Sequence, residues 1–258
     1  MCTLCVIPAR YASTRLPGKP LADLGGVPLI CRVYARAAAA RTTSGTLVAT
    51  DDDRIAAVVA SHGGQALLTR SDHPSGTDRV AEIARITEAE IYVNVQGDEP
   101  FVRPADIDAL VTLLETHPAY AVASLYHVMD PVTRDDPAAV KVVCAHNGQA
   151  LYFSRAAIPY PRDGGSSETL QHLGLYAYRR EFLLHLAELP DSPLARAESL
   201  EQLRFLQAGV PMLMGRTSPP AGPSVDTPAD LAKARALLAA ESMPPAARRG
   251  CPKRIDTQ

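Results

Sequence analysis

Arg10, Arg15 and Lys19 lie within ten positions of one another, in the stretch Ile7-Pro8-Ala9-Arg10-Tyr11-Ala12-Ser13-Thr14-Arg15-Leu16-Pro17-Gly18-Lys19-Pro20. These cations, together with hydroxyls and backbone N–H groups, offer one surface to a polyanion, and a triphosphate has matching charge. The alternative is an ordinary connection with solvated charges, although short connections seldom carry so many cations. Two familiar phosphate loops are excluded. Gly18-Lys19 has Ser13 where a Walker loop needs its first Gly, and Pro20 where that loop needs Ser or Thr. The dinucleotide pattern G-x-G-x-x-G is also missing here, which removes the main support for hydride transfer.

A second signal is Val93-Asn94-Val95-Gln96-Gly97-Asp98-Glu99-Pro100, an apolar run ending in a turn with carboxylates. Ligands of open parallel sheets bind beyond the carboxyl ends of the strands. A carboxylate beside a triphosphate needs a cation between them, and Mg²⁺ held by one or two carboxylates plus phosphate oxygens is the usual arrangement. Asp98 is therefore either a metal ligand or a strand-end cap. Asp226, in Val225-Asp226-Thr227-Pro228, is either the second ligand or simple helix-end electrostatics. Gln96 shares a face with Asp98 if the strand persists.

Four further groups stand out. Thr69-Arg70-Ser71-Asp72-His73-Pro74-Ser75-Gly76-Thr77-Asp78-Arg79 is a polar loop opening a helix. It is either a reader of a base edge or a plain capped helix start. His172 and Tyr176 share a strand face. Glu198, Glu201 and Gln202, spaced i, i+3, i+4, share one face of a single helix, suited to sugar hydroxyls or merely solvated. Arg155 and Arg162 either fork a substrate carboxylate or face solvent.

The elements that must position these residues alternate through the first half. Strands are expected at residues 4–7, 46–50, 65–69, 91–96 and 120–126, with helices at 28–40, 53–61, 75–87 and 104–115. This rhythm predicts an α/β fold, a mostly parallel twisted sheet with helices on both faces. Strands at 140–145, 149–154 and 172–179 follow without long helices between them, which suggests an antiparallel insertion or small mixed β lobe over about residues 130–180. Helices at 180–189 and 197–208, a strand at 211–216 and a helix from Pro228 complete a single domain over residues 1–241. Residues 242–258, rich in Pro and Arg and without pattern, read as a disordered tail with solvated cations.

Composition narrows the function further. The 258 residues carry a formal net charge of −2, which argues against nucleic acid as the main partner. No apolar run approaches the roughly 18 residues needed to cross a bilayer, and no secretory leader is evident, so a cytoplasmic protein without membrane partners is expected. Cys2 and Cys5 form a C-x-x-C, but positions three apart in a strand point to opposite faces, so a shared metal is not expected. Cys31 and Cys144 read as core residues.

With these pieces assembled, the chain resembles the 3-deoxy-manno-octulosonate (Kdo) cytidylyltransferases of lipopolysaccharide biosynthesis over about residues 3–238. The resemblance is carried by the residues 7–21 loop, Val48-Ala49-Thr50-Asp51, Ser75-Gly76-Thr77-Asp78-Arg79, Val93 to Pro100, Val140-Lys141-Val142-Val143, Leu151-Tyr152-Phe153-Ser154-Arg155, His172-Leu173-Gly174, Glu201-Gln202-Leu203-Arg204 and Val225-Asp226-Thr227-Pro228. It implies a nucleotidyltransferase-type, GT-A-like fold, dependence on Mg²⁺, and a homodimer that uses the smaller lobe. The implied reaction takes CTP and Kdo to CMP-Kdo and pyrophosphate by direct attack of the anomeric hydroxyl on the α-phosphorus. Arg10, Lys19 and Asp98 are the implied catalytic residues, and Asp98 with Asp226 the implied metal ligands. The nucleotide is expected on Ala9, Arg10, Ser13, Arg15, Lys19, Thr69, Arg70, His73, Ser75, Gly76, Arg79 and Gln96. The sugar is expected on Gln96, Arg155, His172, Tyr176, Glu198, Glu201 and Gln202. The segment 163–171 is shorter than in typical members, so a related 2-keto-3-deoxy sugar acid, such as 8-amino-Kdo or a sialic-acid-like sugar, is the alternative substrate. A catalytically silent nucleotide-binding protein is the other alternative.

Overall fold

The computed structural model describes residues 2–162 and 168–242. Apolar runs form the sheet. Strands β1 (Thr3–Ala9), β2 (Gly45–Thr50), β3 (Ala66–Leu68), β4 (Ile91–Asn94), β5 (Val122–Val128), β8 (Leu170–Arg179) and β9 (Met212–Arg216) lie in the order β3-β2-β1-β4-β8-β5-β9. All of them run parallel to β1 except β8, which pairs antiparallel with both β4 and β5. β4 is buried at every position, as expected of a central strand covered on both faces.

Helices α1 (Leu29–Ala37), α2 (Asp53–Ser61) and α4 (Pro104–Thr116) cover one face. Ile30, Ile55, Val59, Ile107 and Leu110 pack there against Ile7, Val48 and Val93. Helices α3 (Gly76–Ile86), α5 (Arg180–Leu184) and α7 (Gln202–Gln207) cover the other. There Val80, Ile83, Leu183, Leu203 and Phe205 meet Val6, Tyr92 and Tyr178. Helix α8 (Pro228–Ser242) closes a third cluster with Leu24, Leu29 and Phe101. It starts with the reciprocal cap readable in Thr227-Pro228-Ala229-Asp230: Asp230 accepts the Thr227 N–H at 3.0 Å, and Thr227 Oγ1 accepts the Asp230 N–H at 3.2 Å.

Three expectations need correction. β4 stops at Asn94, so Gln96 and Asp98 stand in a turn and not on a strand face. The expected helix over residues 197–208 is two short helices, α6 (Pro193–Glu198) and α7, broken where Ser199 takes a left-handed conformation (φ 51°). Glu198 and Glu201 therefore do not share a helical face. The strand holding His172 is not confined to an insertion. It pairs antiparallel with β5 along its length; on its other edge the second half pairs with β4, and the first half carries the hairpin of β6 (Lys141–Cys144) and β7 (Ala150–Ser154) through β6. The tail expected beyond Ser242 and most of the shortened segment, residues 163–167, lie outside the described residues.

Candidate active site

The carboxyl ends of β1 and β4, the loop entering α3 and the approach to α8 meet around one cleft. Ala9, Arg10, Ser13, Arg15, Lys19, His73, Ser75, Gly76, Arg79, Gln96, Asp98 and Asp226 line it, with Thr14 and Pro74 beside them. Close backbone approach makes this convergence possible. A Cβ on Gly97 would sit 2.9 Å from the Pro8 carbonyl oxygen, and one on Gly76 would sit 3.2 Å from the Pro8 ring. Gly97 thus requires glycine where it packs on the end of β1, and at Gly76 a side chain would press the Pro8 ring aside.

The charge centre of the cleft is Lys19. Its Nζ donates to Asp98 Oδ2 at 2.6 Å and to Asp226 Oδ1 at 3.0 Å. These carboxylates come from positions more than a hundred residues apart. A hydrogen bond from the Val225 N–H to the Asp98 carbonyl, 2.8 Å, holds the two segments together. Burial alone would push the Lys19 ammonium down, but Asp98 and Asp226 outweigh it and hold it above its ordinary pKa. Arg15 adds a guanidinium 3.1 Å from Asp226 Oδ1, and Arg10 is exposed at the rim. Beside them Glu99 is pushed up to about 7, first by burial and then by the neighbouring Asp98 and Asp226 charges.

The opposite wall is the start of α3. Ser75 caps the helix by accepting the Asp78 N–H at 3.1 Å. Its hydroxyl also lies 2.5 Å from Glu201 Oε1, while Thr77 donates to Glu201 Oε2 at 2.8 Å. Burial pushes Glu201 up, and these hydroxyls partly offset that. Arg79 is buried; it pairs with Asp51 at 3.3 Å and hydrogen-bonds the Thr69 hydroxyl. His73 lines the cleft with its Nε2 on Glu82.

Several residues expected to touch ligands have other work. Thr69 is not in the cleft; its hydroxyl engages Arg79 and the Thr50 carbonyl. Arg70 points outward, forked to Asp72 at 2.9 and 2.6 Å. The Arg155 guanidinium donates to the carbonyls of Glu198 (2.7 Å), Pro137 (2.9 Å) and Ser199 (3.1 Å), so its fork is taken up by the backbone around the α6–α7 break. Glu198 accepts from Ser154 Oγ at 2.6 Å and the Arg155 N–H at 2.9 Å. It ties α6 to β7 and does not stand beside Glu201.

His172, Tyr176 and Gln202 form a connected, buried set, and none of them lines the cleft. The His172 and Tyr176 rings stand 5.4 Å apart, and Tyr176 Oη donates to Gln202 Oε1 at 3.3 Å. Burial drives the His172 pKa down to about 3, so its ring is neutral. Ser124 Oγ lies 2.7 Å from the Leu175 carbonyl and 2.8 Å from His172 Nε2. If the serine proton goes to the carbonyl, Nε2–H donates to Ser124, and Nδ1 is left as an acceptor.

Sequence reasoning quoted Asp51 and Gly97 within motifs but gave them no role, and it missed Glu82. Asp51 follows the last residue of β2, where a carboxyl-end rule would have flagged it. Glu82 gave no signal, because its link to His73 crosses a turn and a helix.

The architecture and the cleft define a nucleotidyltransferase-type α/β protein, and the comparisons agree. The family model described as Cytidylyltransferase matches residues 4–213. A cytidylyltransferase structure from Leptospira borgpetersenii shares the fold at TM-score 0.57 and 16% identity, over 88% of this chain and 82% of that one. Nearer relatives fix the branch. The 3-deoxy-manno-octulosonate cytidylyltransferase of Escherichia coli is 49% identical over 92% of this chain and 96% of its own. The enzyme of the same name from Syntrophobacter fumaroxidans is 47% identical over 92% and 97%. A solved CMP:2-keto-3-deoxy-manno-octonic acid synthetase, complexed with CTP, superposes at TM-score 0.91 and 47% identity, over 93% of this chain and all of the other. The chain belongs to the 3-deoxy-manno-octulosonate cytidylyltransferase family.

Proposed function

We propose that the protein transfers CMP from CTP to the anomeric hydroxyl of Kdo, giving CMP-Kdo and pyrophosphate. The observation that carries this reading is the meeting of Lys19, Asp98 and Asp226 in a cleft walled by the start of α3. Its support is membership of a family whose relatives bear that name.

In this reading Arg10, Arg15 and Lys19 draw in the triphosphate, and the α3 start with Ser75, Gly76 and Arg79 faces the base. The sugar lies toward Gln96 and the set of His172, Tyr176 and Gln202. Neutral His172 keeps a hydrogen-bond acceptor for a sugar hydroxyl, which an imidazolium would lack. The anomeric hydroxyl gives up its proton to solvent as its oxygen bonds to the α-phosphorus; the bond from that phosphorus to the oxygen bridging to the β-phosphate breaks, and pyrophosphate leaves with that electron pair. No enzyme nucleophile is needed. Lys19, held in place by two carboxylates, meets the charge that builds on the phosphoryl oxygens.

The donor set fits a divalent cation. Asp98 and Asp226 converge, are partly open to the cleft, and already share one positive group. Asp98 and Asp226 would hold Mg²⁺, which supplies charge neutralisation at the phosphates and a lowered pKa for the attacking hydroxyl. Thiols fit a reducing compartment: Cys2, Cys5, Cys31 and Cys144 are all free. We extend the reading to a cytoplasmic homodimer that acts in lipopolysaccharide synthesis. Exposed Leu151, on the β7 edge of the lobe, supports a contact there.

The test is pyrophosphate release with CTP, UTP and ATP against Kdo, 8-amino-Kdo and sialic acid. Release requiring CTP and Kdo is expected. Release with CTP and another acid but not Kdo would reassign the substrate, and CTP binding without release would overturn the enzymatic reading.

A further inference from the structure

Residues 10–18 form no helix or strand, yet they carry Arg10 and Arg15 of the cleft and lead directly into Lys19. The two ends of this loop are closed on each other. The Gly18 N–H donates to the Tyr11 carbonyl at 3.3 Å. Gly18 takes φ 66°, the left-handed region, and a Cβ there would sit 3.2–3.4 Å from Tyr11 Oη, Cζ and Cε2. The Tyr11 phenol therefore packs directly on the last residue before Lys19.

The same ring is held from outside the loop. The Arg54 guanidinium carbon lies 3.5 Å from the Tyr11 ring centroid. Arg54 is itself fixed by a fork to Asp52, 2.9 and 2.6 Å, and Asp52 caps α2. The first turn of α2 thus carries a stacked cation onto the tyrosine that closes the loop. None of Tyr11, Gly18 and Arg54 lines the cleft, whereas Arg10 and Lys19, their sequence neighbours, do.

We propose that Tyr11 is a positioning residue. Clamped by Arg54 and packed on Gly18, it sets the spacing of Arg10 and Lys19 before the triphosphate arrives. A loop without ladder hydrogen bonds would otherwise be ordered at the expense of binding energy, and pre-ordering removes that cost. The clamp rests on the reading that this cleft takes a nucleoside triphosphate.

The experiment compares Y11F, Y11A and R54A with the unaltered full chain. The readouts are KM for CTP and for the sugar acid, and the rate at which trypsin cuts after Arg15 in ligand-free protein. Y11F keeps the ring and is expected to behave as wild type. Y11A is expected to raise KM for CTP roughly tenfold, with R54A between, the shift of one immobilised side chain or so. Both leave the sugar-acid KM nearly unchanged, speed the cut after Arg15, and regain protection at saturating CTP. Y11A with wild-type CTP KM and wild-type cleavage would overturn the proposal, as would equal rises in both KM values. If Y11A does not fold, R54A decides by the same readouts, since its side chain lies on the surface. Wild-type protein without CTP affinity would overturn the reading of the cleft instead, and the ligand-free cleavage rates would still decide the clamp.

Discussion

Replacing Lys19 by alanine separates the stability of the cleft from its chemistry. The ammonium makes two charged hydrogen bonds, 2.6 Å to Asp98 and 3.0 Å to Asp226, with its own side chain 16% exposed. After the substitution Asp226 keeps Arg15, but Asp98 has no other ion pair among the described residues. A charged hydrogen bond is worth ~1.5–3 kcal/mol, and partial solvent access to Asp98 reduces the net loss to about 1–2 kcal/mol. That corresponds to a fall in Tm of roughly 2–8 °C for a domain of this size. The loss in turnover is larger, because removing an electrostatic donor costs ~2.7–4 kcal/mol in the transition state, a factor of about 10²–10³ in kcat. Arginine does not substitute, since its planar fork is not a compact point charge. The ammonium is held above its ordinary pKa, so its stabilisation is complete below the unfolded value and is lost only as pH rises through the folded one. The ammonium itself therefore stays charged between pH 6 and 9, and any pH dependence in that window comes from Glu99, pushed up to about 7 by burial and the neighbouring Asp98 and Asp226 charges. Pyrophosphate release and thermal melts with and without Mg²⁺ read both quantities. In K19A the melts gain a larger Mg²⁺-dependent rise, because the carboxylates no longer share an ammonium. Turnover within threefold of wild type would remove Lys19 from the chemistry.

Other outcomes follow from single residues. His172 is pushed down to about 3 while an unfolded histidine titrates near 6.5, so the unfolded chain binds the extra proton between these values and stability falls as pH drops, by about 1.4 kcal/mol per unit. Chemical denaturation at pH 6.5 and 4.5 should show a shallower loss in H172Q, and equal slopes would refute the buried neutral ring. G97A forces a methyl to 2.9 Å from the Pro8 carbonyl, costs ~1–3 kcal/mol by overpacking, and lowers kcat by moving Asp98 away from Lys19; a wild-type melt would refute the close approach. R155A frees the carbonyls of Glu198, Ser199 and Pro137, so it should lower stability by ~1–3 kcal/mol, with lysine failing to rescue; an unchanged Tm with a raised sugar-acid KM would return Arg155 to direct substrate contact.

The cleft was more legible in the sequence than the sugar side. Its loops follow β-strands of a parallel sheet, so one rule about carboxyl ends gathered Arg10, Lys19, Gln96 and Asp98 without knowledge of contacts. Asp226 was legible only as one of two alternatives, a second ligand or helix-end electrostatics, because its arrival beside Asp98 depends on the long-range Val225–Asp98 backbone bond and the Lys19 ion pair. The group of Glu198, Glu201 and Gln202 failed as one face because periodicity does not reveal a left-handed Ser199, a conformation that side chains rarely adopt. Once the helix breaks, Glu198 turns to Ser154 and Glu201 to Ser75. Thr69 and Arg70 have ligand-like chemistry but spend it on Arg79 and Asp72, a choice set by packing across the β3–α3 connection. β8 escaped as a member of the main sheet because strand order depends on long-range pairing with β4 and β5.

The measurement closest to the core of this account is an anomalous-scattering experiment on crystals of the protein with CTP and Mn²⁺ in place of Mg²⁺. The account predicts a metal peak ligated by both Asp98 and Asp226 and by phosphate oxygen, with the Lys19 ammonium turned onto the triphosphate. A nucleotide bound in the cleft with its metal ligated by neither carboxylate would contradict it.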